Sequence, residues 1–382
     1  MQRNSKKWRA LFVGDLYIRN GHTEIVSNEV KQLIEAHDIA SFNFEGPIEL
    51  SSGEPIVKAG VHLCQHPKAA EAVKEAGFNV ASLANNHICD YGADALSGTL
   101  KAFSDIDVVG AGATFEQANA LRKRCINGIE VGLLAYCEAE FGALMEEQGQ
   151  YGYAWVNHPR VNEAIRGAKA EVDVLLVQVH AGVEGVDLPL PEWRQRYREL
   201  IDNGADAVIA HHPHVPQGWE LYAGKPIYYS LGNFYFDLPR ADTNWDRGYM
   251  VSLTYDGDLL QDHQVIPVEK RGGVVALSQD SAYGRHLKTI VHQLKEEVYQ
   301  GLMDQQVLEL WESRYQRYYV AAAHGHKRGK SLADYIQSIV CRLFNRIQFD
   351  NALLLHNLRI ESHRWAVERA LTILLHKHGK GL

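Results

Sequence analysis

Three imidazoles within four residues, His211–His212–Pro213–His214, follow the short apolar run Ala207–Val208–Ile209. Five other apolar runs also end in polar residues. Leu11–Phe12–Val13 leads to Gly14–Asp15, and Ile39–Ala40–Ser41–Phe42 leads to Asn43–Phe44–Glu45–Gly46–Pro47. Val80–Ala81–Ser82–Leu83 is followed by Asn85–Asn86–His87. The run from Val174 to Val179 is followed by His180–Ala181–Gly182–Val183–Glu184, and Tyr228–Tyr229–Ser230–Leu231 by Gly232–Asn233–Phe234. Imidazole, carboxylate and amide oxygen, with no Cys among them, are the ligands of Mn, Zn or Fe in a hydrolytic centre. Two such ions about 3.5–4 Å apart could generate a hydroxide nucleophile and clamp a phosphoryl oxygen, with one carboxylate bridging them.

Taken singly, most of these residues have ordinary roles. An Asp after Gly caps a turn or a helix, Asn85–Asn86 is a common loop pair, and His180 could be a hydrogen-bonded core histidine. The 211–214 segment is different, because burying three imidazoles at a strand end without a ligand is costly. Six such ends coinciding carry more weight than any one of them. His62 and His66, around Cys64, read as packing or rim residues, and Lys58 as a solvated lysine. Gly110–Ala111–Gly112 lacks dinucleotide-binding spacing and reads as a turn.

The elements that must position these groups are legible as patterns. Apolar runs at Ala10–Val13, Ile39–Phe44, Val80–Leu83, Val131–Ala135, Val174–Val179, Ala207–Ala210, Ile227–Leu231 and Met250–Leu253 read as strands buried on both faces. Helical stretches at Ser27–Ala36, Pro67–Ala76 and Trp193–Asn203 lie between several of them. Alternating strands and helices give a layered α/β core, with ligands bound beyond the C-terminal strand ends.

From residue 281 the pattern changes. Leu287, Ile290, Val291, Leu294, Val298 and Leu302 recur at helical spacing, as do Leu332, Tyr335, Ile336, Ile339, Val340, Leu343 and Ile347. With Asp350–Leu358 and Arg364–Leu375 this predicts about four helices in a cap or small bundle. Residues 325–330 read as a basic loop and Trp311, Tyr315, Tyr318 and Tyr319 as core. The tail histidines are assigned no chemistry. The expected division is a catalytic domain over 1–280 and a helical appendage over 281–382.

The 382 residues are 46% hydrophobic and 23% charged, which excludes a disordered or fibrous chain. The net charge of −8 argues against nucleic acid as partner. Residues 281–382 hold 15 Lys+Arg against 9 Asp+Glu, so a basic tail is expected to dock on an acidic body. Five cysteines with no CxxC spacing suit a reducing compartment. The apolar run after the basic N-terminus is only Ala10–Val13, short of a signal region or a membrane span, so the chain is read as cytoplasmic, without a transmembrane segment.

The order Gly–Asp, Asn-x-Glu-Gly, Asn–Asn–His, His-x-Gly-x-Glu, His–His–Pro–His and Ser–Leu–Gly–Asn–Phe, over about residues 9–255, resembles the CapA family. These are bacterial capsule synthesis, or poly-γ-glutamate biosynthesis, proteins. The resemblance implies a calcineurin-like metallophosphoesterase fold, a four-layer α/β/β/α sandwich with a dinuclear site for divalent metal (Mn, Fe or Zn). It implies Asp15, Glu45 and His214 on the first ion, Glu45 bridging, and Asn86, His180 and His212 on the second. His87 would face substrate as the group that protonates the leaving oxygen. Asn43, Asn85, Glu184, His211 and Asn233 would contact substrate or support the ligands, with Glu184 or Asp90 orienting imidazoles. Where the superfamily has Asp-x-His, this chain has Asp15–Leu16–Tyr17, so the first position is expected to be the weaker.

The implied function is a metal-dependent hydrolase of phosphoesterase-like fold in capsule, polysaccharide or poly-γ-glutamate biosynthesis or remodelling. Its partner would be an anionic polymer, a phosphorylated glycan or a small molecule. The same ligand set would serve a γ-glutamyl amide hydrolase or transferase, and a non-catalytic polymer-assembly subunit is the alternative of another class.

Overall fold

The computed structural model describes residues 6–50, 53–238, 240, 244–323 and 349–377. They divide into two compact units, one of residues up to Ile56 with His62–Lys295, the other of Val57–Val61 with residues from Glu296 onward.

The first unit is an α/β/β/α sandwich. Its larger sheet contains β1 (Lys7–Tyr17), β2 (Ile39–Phe44), β3 (Val80–Ser82), β4 (Asp107–Val109), β14 (Asn233–Phe236), β15 (Arg247–Asp256), β16 (Leu259–Arg271) and β17 (Val274–Leu277). The order is β17-β16-β15-β1-β2-β3-β4, with β14 also paired to β1. The smaller sheet holds β6 (Arg122–Ile126), β7 (Ile129–Cys137), β10 (Val174–His180), β11 (Ala207–His211), β12 (Trp219–Tyr222) and β13 (Lys225–Tyr228), in the order β12-β13-β11-β10-β7-β6. A third, minor sheet joins β5 (Ala111–Gly112), β8 (Ala143–Leu144) and β9 (Gly152–Ala154).

The two main sheets share one apolar core. Phe12, Phe42, Val80 and Val251 of one pack in the same cluster as Leu133, Leu176 and Ile209 of the other. Ser41 Oγ, on β2, donates to Gln178 Oε1 on β10 at 3.1 Å, a polar tie between sheets. Helices α1 (Asn28–Glu35), α2 (Ala69–Glu75) and α3 (Gly92–Ala102) bury Val30, Ile34, Val73 and Leu96 in this core. The short α4 (Phe115–Ala118) lies beside β5 and β9, and α5 (Val161–Glu171) and α6 (Pro191–Asp202) pack on the smaller sheet. Ser27 caps α1 through Val30 N, and Pro191 opens α6 where no intrahelical donor is needed.

The first unit runs further than residue 280. Helix α7 (Ser281–Gln293) belongs to it because Tyr283 and Leu287 pack into the core cluster and Tyr283 Oη donates to Gly248 O at 2.9 Å. The second unit contains α8 (Glu296–Leu310), a π-helical turn (Trp311–Tyr315), α9 (Gln316–Ala323), α10 (Asn351–Arg359) and α11 (Glu361–Lys377). Tyr299, Met303, Val307 and Ala370 are buried there. Of the expected aromatic core, Tyr315 is buried while Trp311, Tyr318 and Tyr319 are partly exposed. The expected helix over Leu332–Ile347 and basic loop 325–330 lie outside the described residues. Among the described residues no helix is long and apolar enough to cross a membrane.

Candidate metal centre

The site lies where the strands of both sheets end. β1 changes partner along one edge: Lys7–Phe12 pair antiparallel with β15, and Asp15–Tyr17 pair parallel with β14. A register shift between Phe12 and Asp15 breaks the ladder to β2, and such a bulge re-aims the side chain that follows it. Gly14 sits at this break because a Cβ there would lie 1.9 Å from Gly232 O. Asp15 is fully buried. Its Oδ1 accepts from Asn43 Nδ2 at 2.8 Å and its Oδ2 from His212 N at 3.1 Å.

β2 delivers Glu45 one residue beyond its end, held by Glu45 N donating to Leu16 O at 3.0 Å and Gln65 Nε2 donating to Glu45 O at 3.0 Å. The carboxylate is fully buried, and neither oxygen has a hydrogen-bond partner among the described residues. Glu45 Oε1 is 3.4 Å from His214 Nε2 and 3.9 Å from His87 Nε2. Burial pushes the Glu45 carboxyl above its usual range, against the pull of His214. Burial opposes the charge on His214, yet Glu45 and Asp15 raise it to about 10. Asp15 is pushed up by burial but held below its usual range by His211, His214 and the His212 backbone.

His180 and His212 behave in the opposite way to His214. Burial takes His180 well below its usual value and His212 down to about 4, leaving the uncharged form that ligates metal. His180 Nε2 is 3.1 Å from Asn86 Oδ1 and 3.0 Å from His212 Nδ1. His214 Nδ1 faces Asn233 Oδ1 at 2.9 Å, and its ring lies against Phe236 and Trp245. His212 and His214 both have positive φ, 96° and 58°, a conformation costly for side-chain-bearing residues and found where a site demands it.

His87 occupies the loop after β3. Its Nδ1 is 2.7 Å from Asp90 Oδ2, which also accepts from Leu63 N at 2.8 Å. That fixes the ring so that Nε2 turns toward Glu45.

The structure thus draws Asp15, Glu45, Asn86, His87, His180, His212 and His214 into one buried cluster. The supporting residues divide. Asn43 and Asn233 touch ligand candidates, and His211 Nδ1 stands 3.5 Å from Asp15 Oδ1. Asn85 is spent on the loop, with Gly46 N and His87 N donating to its Oδ1 and its Nδ2 donating to Phe44 O. Glu184 is partly exposed and accepts from Arg240 at 3.3 Å. Burial opposes its charge, but His214, His212 and Arg240 draw it down to about 2. Of the two proposed orienters, Asp90 is the one seen on His87.

Two residues that sequence reasoning missed are Glu138 and Glu140, buried just past β7. Ligand atoms of Glu138, Glu140 and His212 lie within 4.8 Å of one another, as do those of Asp15, Glu45 and His180. Their signal was available: the run Val131–Ala135 leads to Cys137–Glu138–Ala139–Glu140, the same strand-end rule that marked the other six.

The donor chemistry fits divalent cations. Carboxylate oxygens and imidazoles converge in a buried volume. Glu45 presents two buried oxygens with no hydrogen-bond partner among the described residues and only the His214 imidazole 3.4 Å away, a burial that a divalent cation would offset. Asp15, Glu45 and His214 would hold one ion, and Glu45, Asn86, His180 and His212 a second.

Residues 9–238 match the family described as bacterial capsule synthesis protein PGA_cap. The chain belongs to this family. The capsule biosynthesis protein CapA of Bacillus anthracis is 33% identical over 68% of this chain and 65% of its own length. The PGA biosynthesis protein CapA of Bacillus subtilis (strain 168) is 30% identical over 66% of this chain and 67% of its own. The chain therefore spans about two thirds of the length of these PGA_cap relatives. The match to a 5'-nucleotidase precursor from Thermus thermophilus covers 75% of this chain and 58% of that one, at 13% identity and a TM-score of 0.42.

Proposed function

We propose that this PGA_cap chain is a metal-dependent hydrolase that cleaves a phosphoester linkage during synthesis or remodelling of an anionic cell-surface polymer. The observation that carries the reading is Glu45, a fully buried carboxylate with no hydrogen-bond donor among the described residues, surrounded by imidazoles. Divalent cations, when bound, supply Lewis acidity toward an anionic oxygen. The chain supplies the rest. Asp90 holds His87 Nδ1, so His87 Nε2 is the atom placed to give a proton to the leaving oxygen. The walls of β1, β2, β10 and β11 keep bulk water from the carboxylates, which strengthens every charge interaction inside.

A second reading keeps the site and changes the bond. The relatives' names, capsule biosynthesis and PGA biosynthesis, favour a γ-glutamyl amide, whose carbonyl the same Lewis acidity would polarise. Tyr17, where the superfamily has a ligand His, favours a third reading, a polymer-assembly subunit without turnover.

Mn²⁺-dependent hydrolysis of p-nitrophenyl phosphate, bis-p-nitrophenyl phosphate and γ-glutamyl p-nitroanilide separates these readings, with His87→Ala as control. Phosphoester turnover lost in the control supports the first reading, and anilide turnover alone supports the second. Bound metal with no turnover of any substrate overturns both in favour of the third.

A further inference from the structure

An Asn amide is nearly symmetric in shape, but only its oxygen can ligate a cation. Which end of Asn86 faces the cluster therefore has to be decided by something else. Asn86 Nδ2 donates to Glu140 Oε1 at 3.2 Å, and Asn86 Oδ1 lies 3.1 Å from His180 Nε2. Because Glu140 Oε1 accepts from the NH₂ end, it holds that end to itself and turns the oxygen toward the imidazoles.

His212 poses the same choice between two ring nitrogens. Its Nδ1 is 3.0 Å from His180 Nε2, while its Nε2 faces Glu138 Oε1 at 3.8 Å. A carboxylate on the Nε2 side favours the tautomer with its proton there, leaving the Nδ1 lone pair turned toward His180 and Asn86.

Glu138 is held through its carboxylate and backbone, and Glu140 through its backbone. Glu138 Oε1 accepts from Gly182 N at 2.9 Å, and Glu138 N donates to His180 O at 3.1 Å. Tyr153 Oη accepts from Glu140 N at 2.9 Å and donates to Glu138 O at 3.1 Å.

We propose that Glu140 and Glu138 are positioning residues that decide which atoms of Asn86 and His212 face the second cation position. The inference deepens the metal-dependent reading above and rests on it.

The test is Mn²⁺ titration of the whole chain, stripped of metal, by calorimetry and by electron paramagnetic resonance of free Mn²⁺. Glu140→Gln offers Asn86 either an NH₂ or an oxygen and so removes the discrimination. It is expected to weaken one Mn²⁺ by roughly 10–100-fold, the usual cost of losing a partner behind a ligand, and to leave the other unchanged. Glu138→Gln should act on the same ion. The reciprocal pair Asn86→Asp with Glu140→Gln exchanges donor and acceptor and presents oxygen at either end, so it should recover the lost affinity. A merely structural role for Glu140 would not produce that recovery.

Unchanged affinity in Glu140→Gln, or no recovery in the reciprocal pair, overturns the inference while the hydrolase reading stands. It is also overturned if Glu138→Gln and Glu140→Gln abolish an ion that Asn86→Ala keeps, since the carboxylates would then be ligands. A wild-type chain that binds no Mn²⁺ overturns the hydrolase reading and this inference with it.

Discussion

His87 and Asp90 meet across one turn of the loop after β3, Nδ1 to Oδ2 at 2.7 Å, with both residues buried. The bond leaves Nε2 facing the cluster, 3.9 Å from Glu45 Oε1. On the proposed hydrolase reading, His87 moves a proton rather than holding an ion. His87→Ala should keep the Mn²⁺ content of the wild type and lower kcat by about 10²–10⁴, the size of a general-acid contribution. Elemental analysis and phosphoester turnover on the same samples check this. Loss of metal along with activity would make His87 a ligand instead.

Glu45 Oε1 lies 3.4 Å from His214 Nε2, and the Glu45 carboxylate is within 4.8 Å of a His180 ring nitrogen. As the proposed bridge between the two cation positions, its replacement in Glu45→Ala should lose both ions and nearly all activity. Metal stoichiometry measured by elemental analysis decides the matter. A variant that still holds two ions has no bridging carboxylate at this position.

His214 yields a pH prediction. Its pKa in the metal-free protein is raised from 6.5 to about 10, against burial, by Glu45 and Asp15. A ligating imidazole must be neutral, so binding ejects the proton that His214 carries in the metal-free protein. Between pH 7 and 9, Mn²⁺ affinity should rise about tenfold per unit, with release of about one proton. Calorimetry in buffers of different ionisation enthalpy reads the proton directly. The same shift means that the pair's contribution to metal-free stability is complete below about 6.5 and fades as pH climbs through about 10. A pH-independent affinity would take His214 out of the ligand set.

The strand ends were legible because parallel strands buried on both faces read as unbroken apolar runs, and polar residues just beyond them stand out. β1, β2, β3, β10 and β11 were all visible this way, and so were the ligand candidates they carry. Glu138 and Glu140 obey the same rule, and their local pattern is no weaker than that of Asp15 and Glu45, which no imidazole accompanies either. The long β16 escaped notice for another reason: only Val268 and Glu269 on it are buried, so it has no apolar run to show. Trp245 against His214 and Arg240 on Glu184 come from a segment remote from the imidazoles in sequence, and local patterns carry no record of such contacts. The compact first unit extends to Lys295 rather than ending at 280, and the sequence does not show this because α7 and α8 share one helical periodicity, which does not say which unit a helix buries its face against.

Gly14 tests whether the bulge is needed. A Cβ there would meet Gly232 O at 1.9 Å and Gly232 C at 2.9 Å, both backbone atoms of the residue that leads into β14. Gly14→Ala must push β1 from β14 and break the bond from Asp15 N to Gly232 O. A loss of about 3 kcal/mol in urea denaturation is expected, together with weaker Mn²⁺ binding through Asp15. Gly167→Ala, in the interior of α5 with nothing within 4 Å of its added Cβ, should instead gain about 0.5–1 kcal/mol. Equal effects at the two positions would refute the close-approach account.

The acid limb of stability should be governed away from the site, at Glu220. Its carboxylate joins β12 to α6, with Arg194 Nη2 donating to Oε2 at 2.8 Å, Arg198 Nε to Oε1 at 2.7 Å and Tyr229 Oη to Oε1 at 2.6 Å. Burial pushes the carboxyl up, but Arg198, Arg194 and Tyr229 prevail and hold it at about 2, against 4.5 in an unfolded chain. A depressed carboxyl stabilises the fold fully above its unfolded value and loses that contribution as pH falls toward the folded one. The window is therefore pH 4.5 down to about 2, and the shift corresponds to about 3 kcal/mol. Glu220→Gln should be less stable at pH 7 by an amount of that order, with a flatter stability profile through the window. Urea denaturation at several pH values reads both, and a variant that kept the wild-type slope would move the acid sensitivity to some other carboxylate.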